Sequence, residues 1–125
     1  GGECAGRIVA VGEGVTTLQV GQEVFALAPS SFSSFVTTHS ALVLPKPARL
    51  GFEQAAALPI AFLTAYYALA HVGRLRKGER VLIHAGTGGV GMAAIQWAKH
   101  VGAEVFATAG SEEKRSCYAR SASPT

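Results

Sequence analysis

The first third of the chain carries short apolar segments in a pattern that is typical of β-structure. These segments are rich in β-branched and aromatic residues, and turns of Gly, Ser or Pro separate them. The predicted strands are 7–11 (RIVAV), 23–27 (EVFAL), 35–38 (FVTT) and 41–44 (ALVL). Short strands with such turns predict part of a β-barrel or sandwich.

After residue 50 the pattern changes to helices and strands in alternation. A short helix is predicted over 52–58, and a longer one is predicted to begin at Pro59 and to stop at Gly73. A strand over 80–85, a helix over 92–101 and a strand over 104–108 follow. This order predicts a βαβ unit in a parallel sheet, with strand 80–85 buried on both faces. The predicted domains are therefore 1–50 and 51–125.

The composition excludes several classes of protein. The chain has 125 residues, of which 49% are hydrophobic and 15% charged, so it can form a core and is not disordered. The basic loop 74–80 lacks interleaved aromatic residues, which argues against a nucleic-acid partner. The uncharged stretch 55–72 contains Pro59 and scattered polar groups, which favours a buried helix over a membrane span.

The histidines and cysteines show no spacing that is typical of metal ligands. Cys4 and Cys117 are far apart in the sequence and form no CxxC pair. We therefore expect no metal site, and a reducing, cytoplasmic location. Packing or surface positions are expected for Cys4, His39, His71, His84 and His100.

A glycine-rich segment between the predicted strand 80–85 and the following helix matches the pattern GxGxxG. Its glycines are Gly86, Gly88 and Gly91. In a dinucleotide site the first permits a tight turn, the second lets the backbone approach a pyrophosphate, and the third lets the helix pack closely. The candidate cofactor-binding residues here are Gly86, Thr87, Gly88, Gly89, Val90 and Gly91. The alternative is a glycine-rich turn that binds no ligand.

The end of the second strand indicates which dinucleotide is bound. Sites that prefer NAD carry Asp or Glu there to bind the ribose 2′-OH, whereas this strand is followed by Ser111. Lys114 and Arg115 follow one helical turn later and can neutralise a 2′-phosphate. NADP is therefore the predicted cofactor, and the alternative for both cations is a solvated helix face. Glu112 and Glu113 are interpreted as favourable charges in the first turn of a helix.

Several segments resemble the zinc-independent quinone oxidoreductase branch of the medium-chain dehydrogenase/reductases. They are 78–91 (GERVLIHAGTGGVG), 109–111 (AGS), 2–9 (GECAGRIV), 59–69 (PIAFLTAYYAL) and 111–115 (SEEKR). Within that branch, they are most similar to the enoyl reductase domain of modular polyketide synthases. The resemblance implies an α/β fold, in which the end of a GroES-like β-barrel precedes the first βαβ unit of a Rossmann domain.

The resemblance also implies an activity and a partner. Enoyl reductases of this kind transfer hydride from NADPH to the β-carbon of an α,β-unsaturated thioester that an acyl carrier protein presents, and the parent protein can be a homodimer. The alternatives are a stand-alone NADPH-dependent quinone or enone oxidoreductase, and a catalytically inert nucleotide-binding fragment. The family's proposed proton donors lie outside this chain, so no catalytic residue is assigned.

The resemblance adds one cofactor-binding candidate and one difference from relatives that bind zinc. Thr64 would lie near the cofactor, unless its hydroxyl instead bonds to the preceding helical turn. Gly2 stands where zinc-dependent relatives have a histidine ligand. Tyr66 and Tyr67 are expected to be core residues. The segment 116–125 departs from the family pattern, which implies an atypical tail on an incomplete domain.

Overall fold

The structure is a computed structural model that describes residues 1–114 and Ser116. The chain divides into two compact units, Gly1–Ile60 and Ala61–Thr125. The domain boundary predicted at residue 50 stays a prediction.

The first unit is built on a three-stranded antiparallel sheet. The strands are β1 (Glu3–Arg7), β2 (Glu23–Leu27) and β3 (Val43–Pro45), in the order β1-β2-β3, and helix α1 (Phe52–Ala56) follows them. The side chains of β2 alternate as its sequence predicts, with Val24 and Ala26 buried.

Three of the predicted strands differ from the observed ones, and the first difference is that the strand predicted at 41–44 lies at Val43–Pro45, after a 3₁₀ helix over Ser40–Leu42. The strand predicted at 7–11 lies at Glu3–Arg7, because β1 pairs with β2 from Glu3↔Leu27 to Arg7↔Glu23 and β2 begins at Glu23. Residues 35–38 form no strand. The hydroxyl of Thr38 there donates to the Leu27 carbonyl at 2.8 Å. Pairing with a neighbouring strand, more than the content of β-branched residues, therefore sets these boundaries.

Lys46 is a paired cation at the end of β3, with a side chain only 5% exposed. Its Nζ donates to the Leu50 carbonyl at 2.6 Å and lies 3.0 Å from Glu23 Oε2. Lys46→Met should lower the free energy of unfolding by about 2 kcal/mol, because it leaves the carbonyl and the carboxylate without this donor. Urea denaturation measures the change. The exposed Arg49, changed in the same way, should alter it by less than about 0.5 kcal/mol. Equal effects of the two substitutions would contradict this account of Lys46.

The second unit contains the predicted βαβ arrangement. Helix α2 (Pro59–Tyr66), which begins before the unit boundary, continues as a π-helical segment (Tyr67–Val72) that stops at Gly73 as expected. Strand β4 (Arg80–Ile83), helix α3 (Gly89–Val101) and strand β5 (Glu104–Ala107) follow. β4 and β5 pair in parallel, from Arg80↔Glu104 to Ile83↔Ala107. The core of this unit comprises Ala65, Ile83, Ala93, Ala94, Ile95 and Ala98.

Two predictions about burial in this unit are wrong. Strand β4 is not buried on both faces in the described part of the chain, since Leu82 is 57% exposed beside Phe106, which is 48% exposed. The opposite face, which carries Ile83, packs against the core residues of α3. Tyr66 and Tyr67 are about half exposed rather than buried. The Tyr66 ring instead packs edge-on against Trp97, with 4.8 Å between the ring centroids.

The uncharged stretch 55–72 is divided among α1, α2 and the π-helical segment. Within residues 1–114 and Ser116, no helix has both the length and the hydrophobicity that a membrane crossing requires.

Candidate functional site

The residues between β4 and α3, 85–91, form a loop (the glycine loop) at the carboxyl end of β4. Because β4 and β5 are parallel, this loop meets the segment that follows β5. The Gly86 N–H donates to the Thr108 carbonyl at 2.9 Å, and the Thr108 N–H donates to the Ile83 carbonyl at 3.0 Å. The ladder between the two strands therefore continues into the glycine loop and fixes its first residues.

The tight turn at the start of the glycine loop is made by Ala85, not by the first glycine. Ala85 has φ +52°, a left-handed conformation that costs a residue with a Cβ about 1 kcal/mol, whereas Gly86 is not among the positive-φ residues. Gly86 is required for another reason. A Cβ on it would lie 2.8 Å from Ala107 Cβ and 3.0 Å from Ile95 Cδ1. The role predicted for the first glycine is thus corrected from turning to close packing.

The other glycines of the loop differ in how tightly they are constrained. A Cβ on Gly91 would overlap the Ala85 carbonyl oxygen and lie 2.8 Å from Gly86 Cα, so the close packing expected of the third glycine is confirmed. At Gly88 a Cβ would lie 3.3 Å from the Ala85 carbonyl oxygen, and at Gly89 it would meet nothing within 4 Å. The steric requirement is therefore strong only at the first and third glycines of the pattern.

The glycine loop ends at the N-terminus of α3, which has the properties of an anion site. Gly88 is the N-cap residue and no side chain caps the helix. The first N–H groups of a helix lack intrahelical acceptors, and its N-terminus carries a partial positive charge. Gly88, Gly89 and Val90 are exposed, and Thr87 is half-buried beside them. This end of α3 can thus accept the phosphates of a nucleotide through backbone donors.

The predicted 2′-phosphate residues lie beyond the carboxyl end of β5. Ser111 Oγ accepts from the Lys114 N–H at 3.3 Å, so Ser111 caps the helical turn that contains Glu112 and Glu113. The hydroxyl keeps its own proton for a ligand. Lys114 is exposed and Arg115 lies outside the described residues. Their roles in cofactor binding stay predictions.

The structure adds two residues that the sequence analysis did not assign to the site, and it leaves the assignment of Thr64 untested as well. His84 Nδ1 lies 3.2 Å from Thr108 Oγ1, which also accepts from the Ala85 N–H at 3.3 Å. Each residue lies directly after a strand, His84 after β4 and Thr108 after β5. This placement was the signal in the sequence that could have identified them. Thr64 is exposed on α2, next to the buried Ala65. Its contact with a cofactor stays a prediction.

In the first unit, the residues that correspond to a zinc ligand motif have other contacts. A Cβ on Gly2 would lie 3.3 Å from Ile60 Cδ1, and Glu3 Oε2 accepts from the Ile60 N–H at 2.8 Å. Glu3 therefore caps the first turn of α2 with a carboxylate, which its helix dipole favours. Across the described ranges, no group of three or more His, Cys, Asp or Glu side chains is placed to hold a metal ion.

Comparison with known proteins identifies relatives of nearly the whole chain, although no protein-family model matches it. The chain is 48% identical to part of the phenolphthiocerol/phthiocerol polyketide synthase of Mycobacterium tuberculosis over 120 residues, which cover 96% of this chain and 6% of the synthase polypeptide. The crystal structure of CurK enoyl reductase matches with a TM-score of 0.89 and 50% identity, over 94% of this chain and 36% of the other. Escherichia coli quinone oxidoreductase complexed with NADPH matches with a TM-score of 0.79 and 36% identity, over 94% and 37%.

These matches are to parts of longer proteins. The chain spans 6% of the synthase polypeptide and little more than a third of each solved enzyme. The predicted fold class, the end of a GroES-like barrel followed by the first βαβ unit of a Rossmann domain, is confirmed by the solved structures. Half of the aligned residues are identical to an enoyl reductase, and the fold is shared with a quinone oxidoreductase, so the chain is similar to part of the medium-chain dehydrogenase/reductases of both kinds.

Proposed function

We propose that the chain is the part of an NADPH-dependent enoyl reductase of a polyketide or fatty-acid-type synthase that contains the dinucleotide-binding loop. When bound, NADPH would supply the hydride that adds to the β-carbon of an α,β-unsaturated acyl thioester presented by an acyl carrier protein. The 50% identity to CurK enoyl reductase, together with relatives that are polyketide synthases, supports this substrate class.

The observation that carries the proposal is the exposed, uncapped N-terminus of α3 directly behind the glycine loop. Backbone N–H groups at this end would bind the pyrophosphate, and the absence of a Cβ at Gly88 and Gly89 would let it approach. The residues present therefore fit a dinucleotide.

At the end of β5, Ser111 and Lys114 would bind the 2′-phosphate. The Ser111 hydroxyl donates a hydrogen bond and the Lys114 ammonium group neutralises charge. Arg115 is proposed with them from its place in the sequence, and Thr64 is proposed to lie near the nicotinamide half of the cofactor.

A stand-alone quinone or enone oxidoreductase is the second candidate, because the E. coli quinone oxidoreductase shares this fold and is complexed with NADPH. Its lower identity, 36% against 50% for the enoyl reductase, places it second. The longer parent protein would distinguish the two. An enoyl reductase should reduce enoyl thioesters far faster than quinones, and the opposite preference would favour the second candidate.

Titration of the 125-residue chain with NADPH and NADH tests the cofactor site. Trp97 on α3 is half-buried against Tyr66 and serves as the fluorescent reporter. We expect NADPH to bind at least tenfold more tightly than NADH, since a charge-assisted hydrogen bond contributes about 1.5–3 kcal/mol. Binding of neither nucleotide by the folded chain would contradict the proposal.

Charge reversal at Lys114 should remove most of this preference. Lys114→Glu is expected to weaken NADPH binding roughly tenfold and to leave NADH binding within about twofold, because only NADPH carries the 2′-phosphate. Lys99→Glu is the matched control, since Lys99 is also exposed but lies in the last turn of α3, away from its N-terminus. Equal losses for both nucleotides, or equal effects of the two substitutions, would contradict the role of Lys114.

A further inference from the structure

The Thr108 hydroxyl, just beyond the end of β5, joins two consecutive residues just beyond the end of β4. Its Oγ1 accepts from the Ala85 N–H at 3.3 Å and lies 3.2 Å from His84 Nδ1. The backbone of Thr108 is bonded to the same region, through its N–H to Ile83 and its carbonyl to Gly86. Thr108 therefore contacts the start of the glycine loop through its hydroxyl and its carbonyl, and the end of β4 through its N–H.

The hydrogen-bonding capacity of a hydroxyl accommodates both of these bonds at once. A threonine hydroxyl has one proton and two acceptor lone pairs, and one lone pair takes the Ala85 N–H. The one hydroxyl proton remains for His84 Nδ1, and where it is donated there, a neutral imidazole carries its hydrogen on Nε2. His84 is exposed and directly precedes the glycine loop.

Ala85, which the Thr108 hydroxyl holds, has a strained backbone conformation. Ala85 adopts a left-handed conformation, and its carbonyl accepts from the Gly88 N–H at 2.9 Å while it occupies the space of a Cβ on Gly91. The orientation of the Ala85 peptide therefore decides where Gly88 and the first turn of α3 lie. A backbone held away from its favoured region persists only when its surroundings fix it.

We propose that Thr108 is a positioning residue of the glycine loop, which holds the Ala85 turn through its hydroxyl and fixes the tautomer of His84. The role in nucleotide binding rests on the proposed function. Thr108 itself need not touch the nucleotide, because its effect passes through Ala85 to the backbone donors of α3.

Thr108→Val removes the hydroxyl and keeps the shape of the side chain, so the fold should persist. In the nucleotide-free chain, amide hydrogen exchange at Ala85 should become roughly two- to tenfold faster, which corresponds to the loss of one hydrogen bond. Thr108→Ser should restore slow exchange. In ¹⁵N NMR spectra, His84 should show the Nε2–H tautomer in the unchanged chain and a mixture of tautomers in Thr108→Val.

Thr38→Val is the matched control, since it removes a hydroxyl that donates to the Leu27 carbonyl in the first unit. It should lower the melting temperature without changing exchange at Ala85 or nucleotide affinity. Thr108→Val, by contrast, should weaken NADPH binding about two- to tenfold, and Thr108→Ser should recover it.

The outcomes separate this inference from the proposed function. Unchanged exchange at Ala85 in Thr108→Val would overturn the positioning role, whether or not nucleotide binds. Faster exchange with unchanged NADPH affinity would overturn the link to binding. If the unchanged chain binds no nucleotide, the proposed function fails, and the exchange and tautomer measurements still decide what Thr108 does.

Discussion

Gly91→Ala is expected to lower the free energy of unfolding of the second unit by about 3 kcal/mol, at the upper end of the cost of overpacking a core. The added Cβ would overlap the Ala85 carbonyl oxygen and lie 2.8 Å from Gly86 Cα. Both neighbours are backbone atoms, so no side chain can move aside to relieve the contact. Either α3 must shift away from the glycine loop or the Ala85 turn must open, and both changes should abolish nucleotide binding. Urea denaturation and the Trp97 titration measure the two effects.

Gly89→Ala is the matched control, the same substitution two residues earlier. A Cβ on Gly89 meets nothing within 4 Å, and this glycine is the first residue of α3. Alanine is favoured over glycine in helices, so this variant should be unchanged or more stable by up to about 1 kcal/mol. Two variants with equal stability would show that the packing at Gly91 does not hold the helix against the loop.

Ile95→Ala should have a similarly large effect, a loss of about 3 kcal/mol in the free energy of unfolding. Ile95 is buried on α3 among the core residues of the second unit. Its Cδ1 lies 3.0 Å from where a Cβ on Gly86 would be, so its side chain also packs against the glycine loop at Gly86. Truncation therefore creates a cavity next to Gly86 in the glycine loop, and nucleotide affinity should fall together with stability.

Two further variants make this result interpretable. Ile95→Val removes one methylene group and should cost only about 1 kcal/mol, which keeps the chain folded for titration. Gln96→Ala changes the exposed neighbour on the same helix and should alter stability by less than about 0.5 kcal/mol. Alanine favours a helix at both positions, so a similar loss for Gln96→Ala and Ile95→Ala would contradict the role assigned to the burial of Ile95.

The βαβ unit could be predicted from the sequence because its signals are local. The strand before the glycine loop, the glycines and the helix after them occupy one continuous segment, and Gly102 ends α3 in the left-handed conformation that glycine favours. The first third of the chain offered no such signals. There the position of β1 depends on its pairing with β2, which is distant in the sequence. The β-branched residues of segment 7–11 therefore did not indicate where the strand lies.

The candidate site was predictable in position but not in the roles of its residues. The spacing of Gly86, Gly88 and Gly91 located the loop, yet the left-handed turn falls on Ala85, a residue type that gives no sign of it. His84 and Thr108 were missed for a similar reason. Their contact depends on the parallel register of β4 and β5, which the sequence shows only indirectly.

The bond from the Ala85 N–H to Thr108 Oγ1 also has a consequence for the order of folding. It joins residues 23 positions apart, and that interval includes all of α3. The GxGxxG pattern is therefore complete in the growing polypeptide before the structure it encodes can form. Until β5 has emerged and paired with β4, the glycine loop lacks Thr108, which holds its first turn. Bringing two residues so far apart in the sequence into contact has an entropic cost. A nascent chain that ends within α3 would contain the whole GxGxxG pattern, but it would lack the hydrogen bond that holds the Ala85 turn.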